Sequence, residues 1–368
     1  MVGYSTPMTG ELRIIFMRHT ALVIVALLLI VGAVIAIFKL NYLGTTHSSD
    51  YDTYVMTAQY LRGEVTSDPT GISIAQRILK PLYPGFLALM GSVTDYFTAA
   101  LVQAVIFYFL FIVAMFLLAR EFFDDLFLAT IAVVLSAFSY PVLKYGLDVY
   151  TETGAWFMYV LSLWLTVTFL RTPSRAIFFA NVALITVGFL WKEYIVIAAI
   201  VFGICLLLHQ ALTIRQKILH VFLCGGIFLS VHIPWQFYIL STFNFSYLDW
   251  YLIGGADGFS YEFTLKNIVK STAALIGIMW LFVPLGLIRL KSADFHQKLF
   301  AYAGSVAPLI GYAWGFISSR LLYVIAPPML LVSLYALKGW DRRYLAALAA
   351  LACIANLGWL VLSYRISL

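Results

Sequence analysis

Apolar residues run along this chain in long blocks separated by short polar connectors, and the blocks recur at lengths near that of a bilayer core. Hydropathy and block length predict about eleven transmembrane helices, near 19–40, 97–119, 126–143, 151–170, 176–191, 194–212, 218–240, 269–289, 299–317, 321–337 and 344–362. The expected fold class is all-α: a polytopic membrane protein in which 1–368 form a single transmembrane domain. One stretch breaks the rhythm. From His47 to Gly91 the chain is polar, charged and long, inside a first loop spanning 41–96. A second, smaller polar loop covers 241–268. A membrane protein that gathers this much ionisable chemistry after its first span is expected to use it.

The periodicity inside the first loop is helical. Tyr51, Tyr54, Val55, Ala58 and Leu61 form one apolar stripe, while Thr53, Thr57 and Arg62 face elsewhere. This predicts a short helix ending at a Gly63 C-cap and lying in the membrane interface. Thr66 to Thr70 reads as a turn around Asp68-Pro69. Pro81-Leu-Tyr-Pro-Gly85 then returns the chain to the membrane before the apolar patch from Phe86 to Met90. Ser49-Asp50-Tyr51-Asp52 has the form of a capping box, with Ser49 as N-cap and Asp52 at N3. Capping needs only one acid. Asp50 is therefore assigned to function and Asp52 to structure, with the reverse assignment as the main rival.

Composition supports the membrane reading. Of 368 residues, 63% are hydrophobic and 11% charged, against about 25% charged in soluble domains. The net charge of +6 does not form a nucleic-acid stripe. With the N-terminus placed in the cytoplasm, Lys and Arg favour the inner connectors, such as Arg171-Thr-Pro-Ser-Arg175 and Lys338-Gly-Trp-Asp-Arg-Arg343, while acids favour the outer face. Both polar loops then lie outside. The first apolar run, Ala21 to Leu40, has the length of a full span and no small-residue cleavage site, so no cleavable signal peptide is expected. Cys205, Cys224 and Cys353 sit within apolar runs as packing residues. His209, His220 and His232 lack ligand spacing and read as packed, hydrogen-bonded side chains, while His47 is a weak candidate partner of Asp50. Asn244-Phe245-Ser246 fits a glycosylation acceptor in form, a match common by chance.

Further charges sit at the outer ends of spans. Lys144, Asp148 and Glu152 are four apart and share a face if their segment is helical, which would make an ion ladder worth a few tenths of a kcal/mol. Glu152 opens a long apolar span beside Gly154 and Trp156, where a carboxylate should face a polar cavity. It is the second candidate, orienting an acceptor or a cation. Lys192 and Glu193 interrupt apolar sequence and point differently on a helix, so one enters a cavity while the other pairs elsewhere. Lys192 is favoured as the residue that enters the cavity, and Arg320, after Ser318-Ser319, is a similar candidate. Arg77 and Lys80, three apart, share a face if helical and can grip phosphate, with interfacial anchoring as the alternative.

At these residues the chain resembles a family. Asp50-x-x-x-Tyr54-x-x-x-Ala58-x-x-Leu61-x-x-Glu64, followed by Arg77-x-x-Lys80-Pro81-x-Tyr83-Pro84, looks like the GT-C membrane glycosyltransferases, which include protein O-mannosyltransferases and aminoarabinose transferases. The likeness extends to Glu152, Lys192-Glu193 and Arg320-Leu-Leu-Tyr323. It covers most of the chain as topology and only short motifs as sequence. Two features depart from the family: Tyr51 separates two acids that many members carry side by side, and no soluble C-terminal domain like that of several members is expected.

The resemblance implies an inverting transferase that takes a sugar from a polyprenyl-phosphate donor to a lipid, glycan or protein acceptor, with its site on the outer face. It implies an acidic base from the first loop and places Asp50, Asp52 and Glu152 among the catalytic candidates. Arg77, Lys80, Tyr83, Lys192 and Arg320 become candidates for the donor phosphate. Asp50 with Glu152 could hold a divalent cation, although no compact ligand motif demands one. A bacterial or archaeal inner membrane is the expected setting. The rival class is a multi-span transporter or lipid flippase, which would place ionisable groups at the bilayer midplane and show inverted repeats.

Overall fold

The computed structural model describes residues 26, 28–39, 41, 49–66, 73–250, 252, 264–314 and 318–366. Among these, every regular element is a helix and no strand occurs. The elements are α1 (Leu28–Phe38), α2 (Ser49–Leu61), α3 (Ser73–Ile78), α4 (Leu82–Met90), α5 (Tyr96–Phe123), α6 (Leu126–Ala137), α7 (Tyr140–Tyr145) and α8 (Glu152–Arg171). They continue with α9 (Arg175–Phe189), α10 (Val196–Leu208), α11 (Ile214–Phe243), α12 (Leu265–Ile276), α13 (Val283–Arg289), α14 (Phe295–Val306), α15 (Ala326–Ala336) and α16 (Arg342–Ile366). Among the described residues, five helices are long and apolar enough to cross a membrane: Tyr96–Phe123, Glu152–Arg171, Ile214–Phe243, Leu265–Ser292 and Arg342–Ser363. Shorter apolar helices occupy the other blocks where the structure describes them.

The centre of the molecule is α8 against α5, with α6 and α9 on their flanks. Helices in lipid gain nothing from leaving water, so they associate by packing, and small residues let the backbones approach. The buried face of α5 follows that rule, with Ala99, Ala100 and Ala104 leading into Tyr108, Phe111 and Met115. The buried residues of α8 include Gly154, Ala155 and Ser162 beside Trp156 and Tyr159. Some 72% of the α8 span is buried, whereas α11 is only 6% buried. Farther along the chain, α13 crosses α15 so closely at Gly286 that a Cβ there would meet the Val332 carbonyl.

Capping residues set several boundaries. Asp95, Asp125, Ser174, Thr213, Thr264 and Asp294 each accept a backbone N–H at the start of a helix, and Thr213 with Gln216 completes a capping box. Asp124 and Asn244 end α5 and α11 in the left-handed conformation. Asn244 therefore has a structural task, with Phe245 buried beside it.

Three expectations need correction. The block 126–143 is two helices, because Phe138 ends α6 and Ser139 starts the Pro141-containing α7. Lys144, Asp148 and Glu152 do not share a helix face, since α7 stops at Tyr145 and α8 starts at Glu152. Asp148 pairs with Lys39 at 3.4 Å. Thr57, expected to face away from the apolar stripe, is buried with its hydroxyl donating to the Thr53 carbonyl.

The helix expected in the first loop is present as α2, and Gly63 follows it with φ of 72°. Its stripe is spent inside the protein. Tyr51, Tyr54 and Ala58 are buried, and α2 packs on α4 and α3. Only Leu61 stays exposed at the stripe's end. Glu64 accepts from Arg62 and from the Tyr96 hydroxyl, both at 2.8 Å, which ties the end of α2 to the start of α5. His47, the Ser49 side chain, the Asp68-Pro69 turn and the middle of the second polar loop lie outside the described residues.

Candidate functional site

Five separate segments deliver charge to one place, and each does so from a helix end. Asp50 lies in the first turn of α2. Arg77 lies in the last turn of α3, and Lys80 follows two residues after that helix. Glu152 is the first residue of α8. Lys192 precedes the single 3₁₀ turn Glu193–Ile195 that leads into α10. Arg320 precedes the 3₁₀ turn Leu322–Ile325 that leads into α15.

Asp50 is gripped on both oxygens. The Arg77 guanidinium reaches Oδ1 at 2.5 Å and the Arg320 guanidinium reaches Oδ2 at 3.1 Å. The Asp50 side chain is 28% exposed, so its carboxylate is reachable. Burial acts to raise its pKa, but Arg77, Lys192 and Arg320 outweigh this and hold the carboxyl well below the usual range. Glu152 is fully buried. One of its oxygens meets Lys192 at 3.3 Å and lies 3.8 Å from Arg320, and the other has no hydrogen-bond partner among the described residues. Lys192 also donates to the Thr151 hydroxyl at 2.8 Å. Lys80 pairs with Glu193 at 2.7 Å, both buried. Arg320 thus bridges two carboxylates, and the cluster holds four cations against three acids.

Aromatic side chains wall this charge in. The Arg77 guanidinium lies 4.6 Å from the Tyr54 ring centroid, Lys80 lies 4.9 Å from that of Trp250, and Arg320 lies 5.1 Å from that of Tyr150. Backbone positions are fixed in the same way. Trp156 Nε1 donates to the Arg320 carbonyl at 3.3 Å, and Trp191 Nε1 donates to the Thr151 carbonyl at 2.9 Å. Trp191 fits there because residue 154 is Gly: a Cβ would come within 2.6 Å of the indole. Trp235 and the Tyr247 hydroxyl donate to the carbonyls of Ile78 and Leu79, at 3.2 and 2.9 Å, and so tether the segment between Arg77 and Lys80.

The structure therefore brings together Asp50, Arg77, Lys80, Glu152, Lys192 and Arg320. It leaves Asp52 exposed in the first turn of α2, outside the cluster's ion pairs. Tyr83 is fully buried, packs edge-on against Tyr54 at 4.8 Å and donates to the Val149 carbonyl at 3.3 Å, so its hydroxyl supports the wall instead of facing the charges. Arg77 and Lys80 do not act as a pair on one helix face, because α3 ends between them and each meets a different carboxylate. Glu193 belongs to the same cluster, although only its neighbour Lys192 was assigned a role from the sequence.

Sequence reasoning also missed Thr53, which accepts from Arg77 Nε at 2.7 Å, together with Thr151, Trp250 and Tyr150. A hydroxyl beside a singled-out acid was the available signal for Thr53, next to Asp52, and Thr151, next to Glu152; Tyr150 adjoins none. Trp250 gave no such sign. The histidines are held as expected: His209 on the Leu170 carbonyl, His220 on that of Gln216 and His232 on that of Thr186. Among the described residues no group of three or more His, Cys, Asp or Glu side chains could hold a metal ion. Asp50 and Glu152 share Arg320 between them.

Next to Glu193 lies an apolar cavity of about 100 Å³, lined by Tyr194, Ile197, Ile200, Ile310 and Leu321.

Residues 80–238 match the family model described as dolichyl-phosphate-mannose-protein mannosyltransferase. The match spans less than half of the chain; it includes Lys80, Glu152, Lys192 and Glu193 and stops short of Asp50, Arg77 and Arg320. No curated protein matches the chain. The matched family and the apolar helices together support a membrane glycosyltransferase of the GT-C type.

Proposed function

We propose that this protein transfers a sugar from a polyprenyl-phosphate donor to a hydroxyl acceptor with inversion at the anomeric carbon, at the extracytoplasmic face of its membrane. The observation that carries this reading is the cation-rich cluster around a reachable carboxylate, built from helix ends on one side of the molecule. Alternation along the chain puts the α1–α5 loop and the α7–α8, α9–α10 and α14–α15 junctions on that same side, in keeping with about eleven crossings in one membrane domain. Charges at helix ends fit an interfacial enzyme better than a transporter, whose ionisable groups gather at the midplane.

In this reading the acceptor oxygen attacks the anomeric carbon, the bond from that carbon to the phosphate oxygen breaks, and its electron pair leaves with the phosphate. Asp50 takes the acceptor proton as general base. Its exposure lets an acceptor reach it, which the fully buried Glu152 does not offer. Arg77, Arg320, Lys192 and Lys80 stabilise the charge that grows on the departing phosphate. The arginines suit bidentate contact with its oxygens. Glu152 and Glu193 orient Lys192, Arg320 and Lys80. The apolar cavity beside Glu193 suits the first isoprenyl unit of the donor. A mannosyl group is the first donor sugar to test.

The deciding experiment is transfer by the purified protein from candidate polyprenyl-phosphate sugars, comparing Asp50→Asn with Asp52→Asn. Loss confined to the Asp50 variant is expected. Full activity in both would remove Asp50 as the base.

A further inference from the structure

The Tyr54 hydroxyl is a buried donor aimed among cations. Tyr54 is 2% exposed, and its hydroxyl has no hydrogen-bond partner among the described residues. Buried hydroxyls are normally paired, so an orphan in a polar site calls for an explanation. The Arg77 guanidinium, from α3, lies 4.6 Å from its ring centroid, and Lys80, just beyond that helix, and Lys192, at the entrance to α10, act on the phenol electrostatically. Asp50, one turn earlier on α2, is the acid that also acts on it, and both Asp50 oxygens are engaged by arginines.

Lysine and arginine side chains have no acceptor to offer. A hydroxyl proton beside them needs an acceptor from elsewhere, and an anion drawn by the same positive charge supplies one. We infer that Tyr54 completes the phosphate site by donating its hydroxyl proton in a hydrogen bond to an oxygen of the lipid-linked phosphate. The inference rests on the proposed polyprenyl-phosphate donor and adds a neutral donor to its charged ones.

The neighbouring Tyr83 shows what is special about this position. Both phenols are buried and their rings meet edge-on at 4.8 Å, yet the Tyr83 hydroxyl is spent on the Val149 carbonyl. Burial pushes Tyr83 up. Burial acts on Tyr54 in the same sense, but Lys192, Arg77 and Lys80 outweigh it and lower its pKa. A phenol so polarised is a stronger hydrogen-bond donor to an anion.

The test compares wild type and Tyr54→Phe in lipid nanodiscs of phosphatidylcholine, measuring affinity by calorimetric titration with farnesyl phosphate and with farnesol. A hydrogen bond to a charged group is worth enough that its loss should weaken farnesyl phosphate binding by about tenfold or more. Farnesol binding should be unchanged, because it has no phosphate. Equal weakening of both ligands, or of neither, overturns the role of Tyr54. A wild-type protein that does not prefer farnesyl phosphate to farnesol overturns the phosphate site itself, a separate and earlier failure. Inorganic phosphate serves as competitor: displacement of farnesyl phosphate from wild type places the recognition on the phosphate group.

Discussion

Two buried charge assemblies lie toward the same end of this molecule, and they are built differently. Lys39 at the end of the first span meets Asp148 at 3.4 Å and the Lys144 carbonyl at 2.6 Å, with Lys39 1% exposed and Asp148 fully buried. One cation faces one acid, and the backbone takes up a further proton of the ammonium. In the α2 cluster, four cations share three acids, Arg320 is split between two carboxylates, Asp50 is partly exposed and a tyrosine hydroxyl is left over. A buried pair that closes its own charge holds helices together. A buried cluster with surplus positive charge and an opening is arranged for an anion that arrives from elsewhere.

Mutations can break this contrast. Asp50→Asn should have the largest effect, a loss of roughly 10²–10⁴ in transfer rate, as expected for a general base. Asp52→Asn, two residues away but exposed, should retain the wild-type rate in the same assay. Equal effects would merge the two acids into one structural role.

The Lys39–Asp148 pair should answer in stability instead. Lys39→Met strands a buried carboxylate, which should cost about 3–5 kcal/mol in a reversible unfolding measurement, whereas the double change with Asp148→Leu should recover most of it. If the double variant stays as unstable as the single one, the pair is more than a closed clasp.

Gly154→Ala tests the wall of the cluster. The new Cβ would overlap the Trp191 indole, and overpacking of this kind typically costs about 1–3 kcal/mol. Moving Trp191 also disturbs Thr151 and Lys192, so transfer should fall more than the melting temperature implies. Parallel rate and melting curves across a temperature series would separate the two effects.

The smallest expected change is in pH dependence. Asp50's carboxyl is held below its usual value in the folded protein, so its contribution to stability is fully present above the unfolded carboxylate value of about 3.9. That contribution is lost as pH falls through the depressed folded value. The acidic limb of the rate profile should therefore lie below the ordinary carboxylate range and move upward in Arg320→Gln. A limb that does not move would mean that Arg320 leaves the ionisation of Asp50 untouched.

Much of this was legible in the sequence because bilayers are a severe solvent. Apolar blocks must be helices in lipid, and charges at their ends must find partners. Asp50, Glu152, Lys192 and Arg320 stood out for that reason, each an ionisable residue at the margin of an apolar run. The errors arose where the outcome depended on neighbours. The stripe on α2 is the same whether it meets lipid or protein, and only the packing of α3 and α4 shows that Tyr51, Tyr54 and Ala58 face inward. A four-residue spacing suggested a ladder from Lys144 to Glu152, but the backbone leaves the helix at Tyr145 and Asp148 turns to a lysine more than a hundred residues away.

By itself, then, the sequence determined the all-helical class, the elements between its polar connectors and the side chains whose charge needed explaining, because each follows from local hydropathy and spacing. Only the tertiary structure decided which charges meet. Asp50 and Arg320 are 270 positions apart, and nothing local sets their distance. That distance follows from how α5 and α8 pack and where their neighbours end. The same packing separates Asp52 from Asp50 and leaves the hydroxyl of Tyr54 among cations that cannot accept its proton.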